Sequence, residues 1–340
     1  MTFRFKAVRT DRELECPEID AGLRAARGEI VLLPEGVSED ELIAAVRDAD
    51  LLLMCYTPIT ARVIAAAERL KGIVKYGVGI DAIDIPAAMA RGIPVVNVPQ
   101  YAEETVAEGA FALMIALAKK LKPIGREMTE RGWAWPTPRW MAIDLAGRTL
   151  GLVGAGKIGR SMARMAAGFR MQVIGYDPYV SADVMRAGGI EKIDDLRALL
   201  RDSDVVSIHA VLNDETRHLI GGLELGLMKP SAFLINVSRG AIVDEVALVV
   251  ALREQVIAGA ALDVYCREPL ALEGHPMSAL YAMDNVILFP HLTFYTAEAM
   301  RRLAEDTLAR CREILESRPV LVKSHDPRLR AQRQGVVFDW

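Results

Sequence analysis

Residues 149–178 read TLGLVGAGKIGRSMARMAAGFRMQVIGYDP, and their order decides the fold. The apolar run Leu150 to Val153 suits a parallel strand buried on both faces. Gly154, Gly156 and Gly159 follow as G-x-G-x-x-G. Gly154 permits a tight turn, Gly156 lets a pyrophosphate approach the backbone, and Gly159 lets the next helix pack against the strand. A helix from about Lys157 to Gly168 begins there, so its free N–H groups and positive dipole end face the phosphates. Gln172 to Tyr176 is the next strand, and Asp177 closes it. An acid about 20 residues beyond the glycines is placed to accept hydrogen bonds from an adenosine ribose. The three glycines alone describe only a turn. Strand, helix and acid together point to a bound dinucleotide. Asp177 is followed by Pro178 and Tyr179, with no arginine beside it to hold a 2′-phosphate, which favours NAD over NADP.

Outward from this unit, a chain of 340 residues suits two domains, and 52% hydrophobic residues supply a sizeable core. The net charge is −4 and no dense basic block occurs, so nucleic acid is not an expected partner. The opening MTFRFKAVRTDRE lacks the apolar centre of a signal peptide. The longest apolar stretch, Gly109 to Ala118, is too short to span a bilayer and reads as a buried helix, so no membrane association is expected. Cys16, Cys55, Cys266 and Cys311 are scattered, and read as reduced thiols of a cytoplasmic protein. The five histidines do not cluster at ligand spacing, so no metal site is expected.

Strands are predicted at Phe3 to Val8, Ile30 to Leu33, Leu51 to Cys55, Gly72 to Tyr76 and Pro94 to Asn97. Ser38 with Glu41 forms a capping box, and Thr60 caps a helix through Ala67. Alternating strands and helices make a parallel α/β sheet. A long helix from Tyr101 to Lys120 leaves this first domain. Arg131 to Trp140 (RGWAWPTPRW) packs three tryptophans and two prolines and cannot be a regular helix. It reads as an arm whose rings bury against a neighbour such as a second subunit, or as a substrate-contacting loop. Beyond the dinucleotide unit, strands are predicted at Val205 to His209, Ala232 to Asn236, Gly259 to Asp263 and Val286 to Phe289. Asp194 and Asp244 are the expected helix caps there, and Thr296 opens an amphipathic helix ending near Glu316. The tail after Pro319 reads as a solvated surface or an interface strap.

Ligands of open α/β sheets gather at the carboxyl ends of strands. The turn Tyr76-Gly77-Val78-Gly79-Ile80-Asp81 follows the fourth strand, and its exposed N–H groups suit a carboxylate. Arg239, Glu268 and His291 stand just past three strands of the second domain. Each has an ordinary reading: a surface ion pair, a solvated acid, a histidine on a backbone carbonyl. Together they fit a 2-oxo acid reduced by NADH. Arg239 grips the carboxylate with its planar fork. His291 delivers a proton to the carbonyl oxygen, and Glu268 orients the imidazolium.

The chain resembles the D-isomer-specific 2-hydroxyacid dehydrogenase family. The matching pieces are GVGIDAID (77–84), VVNVP (95–99), TVAE (105–108), LGLVGAGKIGR (150–160), YDPY (176–179), INVSRGAIVDE (235–245), AALDVYCREP (260–269) and FPHLT (289–293), in the family's order over nearly the whole chain. The resemblance implies an α/β protein of two parallel-sheet domains: a Rossmann NAD-binding domain (101–291) inserted in a flavodoxin-like substrate domain (1–100 and 292–340). NAD then lies in the cleft between them, and the protein is usually a homodimer acting on a small 2-hydroxy or 2-oxo acid. By matched position, Arg239, Glu268 and His291 take the catalytic places, and the Val78-Gly79 backbone, with Arg239, the substrate carboxylate. Gly154, Gly156, Lys157, Ile158, Gly159 and Asp177 match the cofactor loop. Ala210, Val211, Thr216, Val237, Ser238, Arg239, Asp263 and His291 match the remaining cofactor-contacting positions.

Three departures stand out. Ala82 replaces a common Asn. His209-Ala210-Val211 replaces His-x-Pro, which predicts a less rigid loop. Leu292-Thr293-Phe294-Tyr295 is bulkier than the usual small run, so that Phe294 and Tyr295 are candidates for an apolar edge to the pocket. Glu268 speaks against the formate branch of the superfamily, and Val78 against the phosphite branch. Arg9, Arg12 and Lys75 are the candidates for gripping a phosphorylated substrate. An alternative function is an NAD(H)-sensing binding protein of the corepressor kind, which shares the fold and the three polar residues.

Overall fold

In the computed structural model, which describes residues 4–339, the apolar runs become the strands of two wholly parallel sheets. One unit runs to Ala102 and resumes at Thr296; the other is Glu103–Tyr295. The first sheet contains β1 (Phe5–Arg9), β2 (Gly28–Leu32), β3 (Leu51–Met54), β4 (Gly72–Lys75) and β5 (Val95–Asn97). Its order is β2-β1-β3-β4-β5, the doubly wound arrangement of a flavodoxin-like domain. The helices between are α1 (Pro17–Ala25), α2 (Glu39–Val46), α3 (Ala61–Ala66) and α4 (Ile85–Ala90). The Ser38 hydroxyl accepts from Glu41 N–H and the Glu41 carboxylate accepts from Ser38 N–H, so the expected box opens α2. Of the first predicted strand, Phe3 lies outside the described residues.

The second unit starts with α5 (Glu103–Ala118) and α6 (Leu121–Arg131). Its strands are β6 (Thr149–Val153), β7 (Gln172–Tyr176), β8 (Glu191–Lys192), β9 (Val205–Ile208), β10 (Phe233–Asn236), β11 (Gly259–Leu262) and β12 (Val286–Leu288). Their order, β12-β11-β10-β9-β6-β7-β8, reverses at β6, as a dinucleotide-binding Rossmann sheet does. Successive strand residues face opposite sides. Leu234 therefore enters one core with Val206 and Ile208, and its neighbour Ile235 enters the other with Leu150 and Val205. All six are at most 0% exposed, and each such burial contributes about 1.5–3 kcal/mol.

The helices of this unit are α7 (Lys157–Gly168), α8 (Ala182–Ala187), α9 (Leu196–Asp202), α10 (Gly222–Leu227) and α11 (Glu245–Arg253). Asp244 caps α11 as expected, accepting from Val246 and Ala247 N–H. The cap of α9 corrects the sequence reading: Asp195 accepts from Arg197 N–H at 2.9 Å, whereas Asp194 stands one residue early and faces Lys192 at 3.7 Å. Among the described residues no helix is long and apolar enough to cross a membrane.

Back in the first unit, α12 (Ala297–Leu315) is capped by Thr296. The tail then forms β13 (Val320–Val322), α13 (Pro327–Arg330) and β14 (Val336–Phe338). It is not merely the solvated surface that was one of the two sequence readings. Val320, Val322, Leu329 and Gln332 are buried, and β13 pairs with β14. Gln332 reaches the edge strand β5, where its side-chain oxygen accepts from Val95 N–H at 2.7 Å and its nitrogen donates to Val95 C=O at 2.9 Å.

Candidate active site

The turn after β6 has the shape that its glycines predict. Gly154 has φ +100°, and a Cβ there would lie 2.6 Å from Ala210 N, so only glycine fits. A Cβ on Gly159 would meet Gly154 O at 2.4 Å, which is the close helix-to-turn packing expected of the third glycine. A Cβ on Gly156 meets nothing within 4 Å, so this position opens onto free space at the N-terminus of α7. Lys157 and Ile158 begin that helix, and the Lys157 ammonium lies 3.4 Å from Glu103. Asp177 is held between turn and strand: Oδ2 accepts from Ala155 N–H and Oδ1 from Tyr179 N–H, both at 2.9 Å.

Beyond β10, β11 and β12 the three polar residues converge. His291 Nδ1 lies 2.8 Å from Glu268 Oε2, with the two side chains 25% and 29% exposed. Glu268 Oε1 also accepts from Tyr265 N–H at 2.9 Å. Removal from solvent works to raise the Glu268 pKa. The hydrogen bond to His291, the charge of His291, the Tyr265 N–H and the Arg239 guanidinium outweigh it and hold the carboxyl below its ordinary range. Glu268 is therefore the anion of the group. Arg239 donates to Ser238 C=O at 2.7 Å. Gly240 follows it, and a Cβ there would sit 2.0 Å from Tyr265 C. That close approach presses the Arg239 loop against the segment carrying Glu268.

His291 has φ +56°, a left-handed backbone that side chains other than glycine rarely adopt. The bonds that impose it come from Asp263, fully buried at the end of β11. Its oxygens accept from Leu292 N–H at 2.8 Å, Thr293 N–H at 3.1 Å and the Thr293 hydroxyl. Burial pushes the Asp263 pKa up, against these hydrogen bonds and the charge of His291. Phe294 is buried and stands edge-on to the His291 ring at 6.2 Å, and Tyr295 stands edge-on to Phe294. Phe294 thus backs the histidine, while Tyr295 is the exposed member of the pair.

The loop after β9 carries Ala210, Val211 and Thr216. Hydrogen bonds pin it without the usual proline. Ser238 Oγ donates to Ala210 C=O, Thr216 Oγ1 donates to Val211 C=O at 2.7 Å, and Asn213 Oδ1 accepts from Glu215 and Thr216 N–H at 2.9 Å. Val237, before Ser238, is buried. Sequence reasoning passed over His209 as a structural feature. It is half-buried against this turn with Nε2 2.9 Å from Ser207 Oγ, and withdrawal of the ring from solvent drives its pKa down to about 4, so its ring is neutral. The signal was in the sequence, a histidine two residues beyond a serine at the end of an otherwise apolar strand.

In the first unit, the Val78 carbonyl accepts from Asn97 Nδ2 at 2.6 Å, and the Val78 side chain is exposed. The three cations considered for a phosphate are engaged in other ways. Arg9 is buried, with Nε and Nη2 on the two Asp20 oxygens at 2.9 and 3.1 Å. Arg12 pairs with Glu13 at 3.2 Å. Lys75 is buried, donating to Cys55 C=O and lying 3.1 Å from Cys55 Sγ. Asp11, which the sequence reading missed, accepts from Cys55, Tyr56 and Thr57 N–H and ties the ends of β1 and β3 together.

A Rossmann sheet with an open glycine turn and a histidine–carboxylate pair beside an arginine defines a dinucleotide-binding α/β protein equipped for proton transfer. Residues 111–293 match the family model "D-isomer specific 2-hydroxyacid dehydrogenase, NAD binding domain". The chain is 42% identical over 271 residues to a glyoxylate reductase of Korarchaeum cryptofilum, covering 79% of this chain and 80% of that protein. It is 40% identical over 267 residues to a D-3-phosphoglycerate dehydrogenase of Methanocaldococcus jannaschii, covering 78% of this chain. There it spans about half of the relative's length (50%). A D-lactate dehydrogenase of Aquifex aeolicus, solved with NAD and lactic acid, superimposes with a TM-score of 0.81 at 29% identity, covering 91% of this chain and 95% of that one. The chain belongs to the D-isomer-specific 2-hydroxyacid dehydrogenase family, and its cofactor is NAD.

Proposed function

We propose that the protein interconverts a D-2-hydroxy acid and its 2-oxo acid by hydride transfer with NAD. The single observation carrying this reading is the 2.8 Å contact of His291 with Glu268, an anion beside Arg239 at the carboxyl ends of the strands. When bound, NAD supplies and accepts the hydride. Glycines 154, 156 and 159 with Lys157, Ile158 and Asp177 hold its pyrophosphate and ribose, and residues 210, 211, 216, 237, 238 and 263 line the remainder. Arg239 grips the substrate carboxylate, together with the backbone of Val78 and Gly79. The Arg239 fork also polarises the carbonyl. In reduction, His291 donates a proton from Nε2 to the carbonyl oxygen while Glu268 stabilises the imidazolium; in oxidation, neutral His291 takes the hydroxyl proton. A homodimer fits the Trp133–Trp140 arm, where Trp133 and Trp135 are 57% and 74% exposed and Met141, the next residue in the chain after the arm, is 70% exposed. Four unpaired cysteines suit the cytoplasm.

NADH oxidation by the purified protein over a panel of 2-oxo acids tests the reading, with glyoxylate, hydroxypyruvate, pyruvate, aromatic and phosphorylated members. Turnover that His291→Ala abolishes supports it. Tight NADH binding without turnover on any member would replace it with the NAD(H)-sensing alternative.

A further inference from the structure

We infer that Glu215 is a second determinant of dinucleotide choice, acting with Asp177 from the far end of the Tyr179 side chain. The inference rests on the NAD-binding reading of this unit. In the sheet order, β6 lies between β9 and β7. A side chain that joins the loop after β7 to the loop after β9 must therefore cross the end of β6, where the glycine turn opens.

Tyr179 makes that crossing. Its N–H is held by Asp177 Oδ1 at 2.9 Å, and its hydroxyl donates to Glu215 Oε2. The ring is 76% exposed, so no core packing explains its direction. An exposed Tyr–Glu bond by itself contributes little to stability. Here both ends are fixed independently. Asp177 is anchored by Ala155 N–H, and the Glu215 N–H is turned onto Asn213 Oδ1 in a loop that Thr216 closes onto Val211. The hydrogen bond to Glu215 raises the Tyr179 pKa, so the phenol stays protonated and the link persists at neutral pH.

The adenosine end of the site is thus bounded by two carboxylates, one at each end of a tyrosine. A ribose 2′-hydroxyl is a donor that such a rim accepts. A 2′-phosphate faces two like charges. Three cations of this region are engaged elsewhere: the Lys192 ammonium donates to Val180 C=O at 3.0 Å, Arg160 donates to Ala155 C=O at 2.9 Å, and Arg186 donates to Asp183 at 2.8 Å.

The test is fluorescence titration of the full chain with NADH and with NADPH, for the natural protein, Glu215→Gln and Glu215→Lys. The NADPH-to-NADH affinity ratio is expected to rise about fivefold in Glu215→Gln and further in Glu215→Lys. Combining Glu215→Gln with Asp177→Asn should raise it beyond either change alone. A ratio that stays within about twofold in both Glu215 variants overturns the inference. Failure of the natural protein to bind either dinucleotide would instead overturn the cofactor reading beneath it.

Discussion

Asp263 and Thr293 are joined twice, through the Thr293 N–H at 3.1 Å and through its hydroxyl, and this pair holds the turn on which His291 stands with φ +56°. The left-handed histidine is strained by itself, by about 1–3 kcal/mol. The buried carboxylate offsets that strain by gathering three donors from the next two residues. Asp263→Asn presents an amide nitrogen to one of those donors. It should lower unfolding free energy by about 1–3 kcal/mol in urea denaturation. Turnover should fall roughly 100-fold as the histidine leaves its place. Unchanged turnover would separate Asp263 from the positioning of His291.

Glu268 is held below the ordinary carboxylate range, so it is ionised across the neutral region. Glu268→Gln removes the anion that stabilises the imidazolium. Oxo-acid reduction should drop by about 10²-fold or more. The alkaline limb of its pH profile should also move to lower pH. The stability consequence has a definite sign. A depressed carboxylate stabilises the folded state above its unfolded pKa of about 4.3, and this contribution is lost as pH falls through the lower folded value. The unfolding free energy of the natural protein minus that of Glu268→Gln should therefore shrink on moving from pH 7 to pH 3.

The glycine turn separates folding from binding. Gly156→Ala places a methyl where nothing lies within 4 Å, at φ −66°, which alanine adopts readily. Its melting temperature should be unchanged or slightly raised, while NADH binding weakens about tenfold or more because the methyl occupies the phosphate's approach. Gly154→Ala combines φ +100° with a 2.6 Å clash and should cost several kcal/mol, ~3 or more. Equal loss of stability in both variants would contradict the assignment of the open space.

Arg9 shows what a buried ion pair requires. It is 1% exposed and bidentate on Asp20. Asp20→Ala leaves the guanidinium without its counter-charge and should destabilise by about 3–5 kcal/mol in a denaturant titration. A loss below about 1 kcal/mol would mean that Tyr76 and the nearby backbone carbonyls suffice for Arg9.

Much of this was legible because strands buried on both faces are written as short apolar runs, and because Ser38, Thr60, Asp244 and Thr296 announce helix starts with their own side chains. α1 carries no such announcement. Cys16 caps it without a side-chain hydrogen bond, and only Ile19, Asp20 and Leu23 are buried. α6 is equally muted, entering from a left-handed Lys120 with only Pro123 buried. Strands were read one residue long at β3 and β4, where Cys55 and Tyr76 already serve the loops. The histidine, glutamate and arginine were readable from a family pattern, but what holds them was not. Asp263 reaches across 30 positions to Thr293, and such long-range bonds leave no periodic trace in a sequence.

Gln332 gives the first sheet an ending. β5 is an edge strand, and an edge strand with unpaired N–H and C=O groups is a template onto which another chain can add. A single amide occupies both groups of Val95, imitating a neighbouring strand for the length of one residue and offering no further backbone to continue the ladder. Growth of the sheet from its β5 edge into a second molecule by strand addition would first have to evict that side chain. The molecule thus carries, in one glutamine, a plug against fibrous self-association.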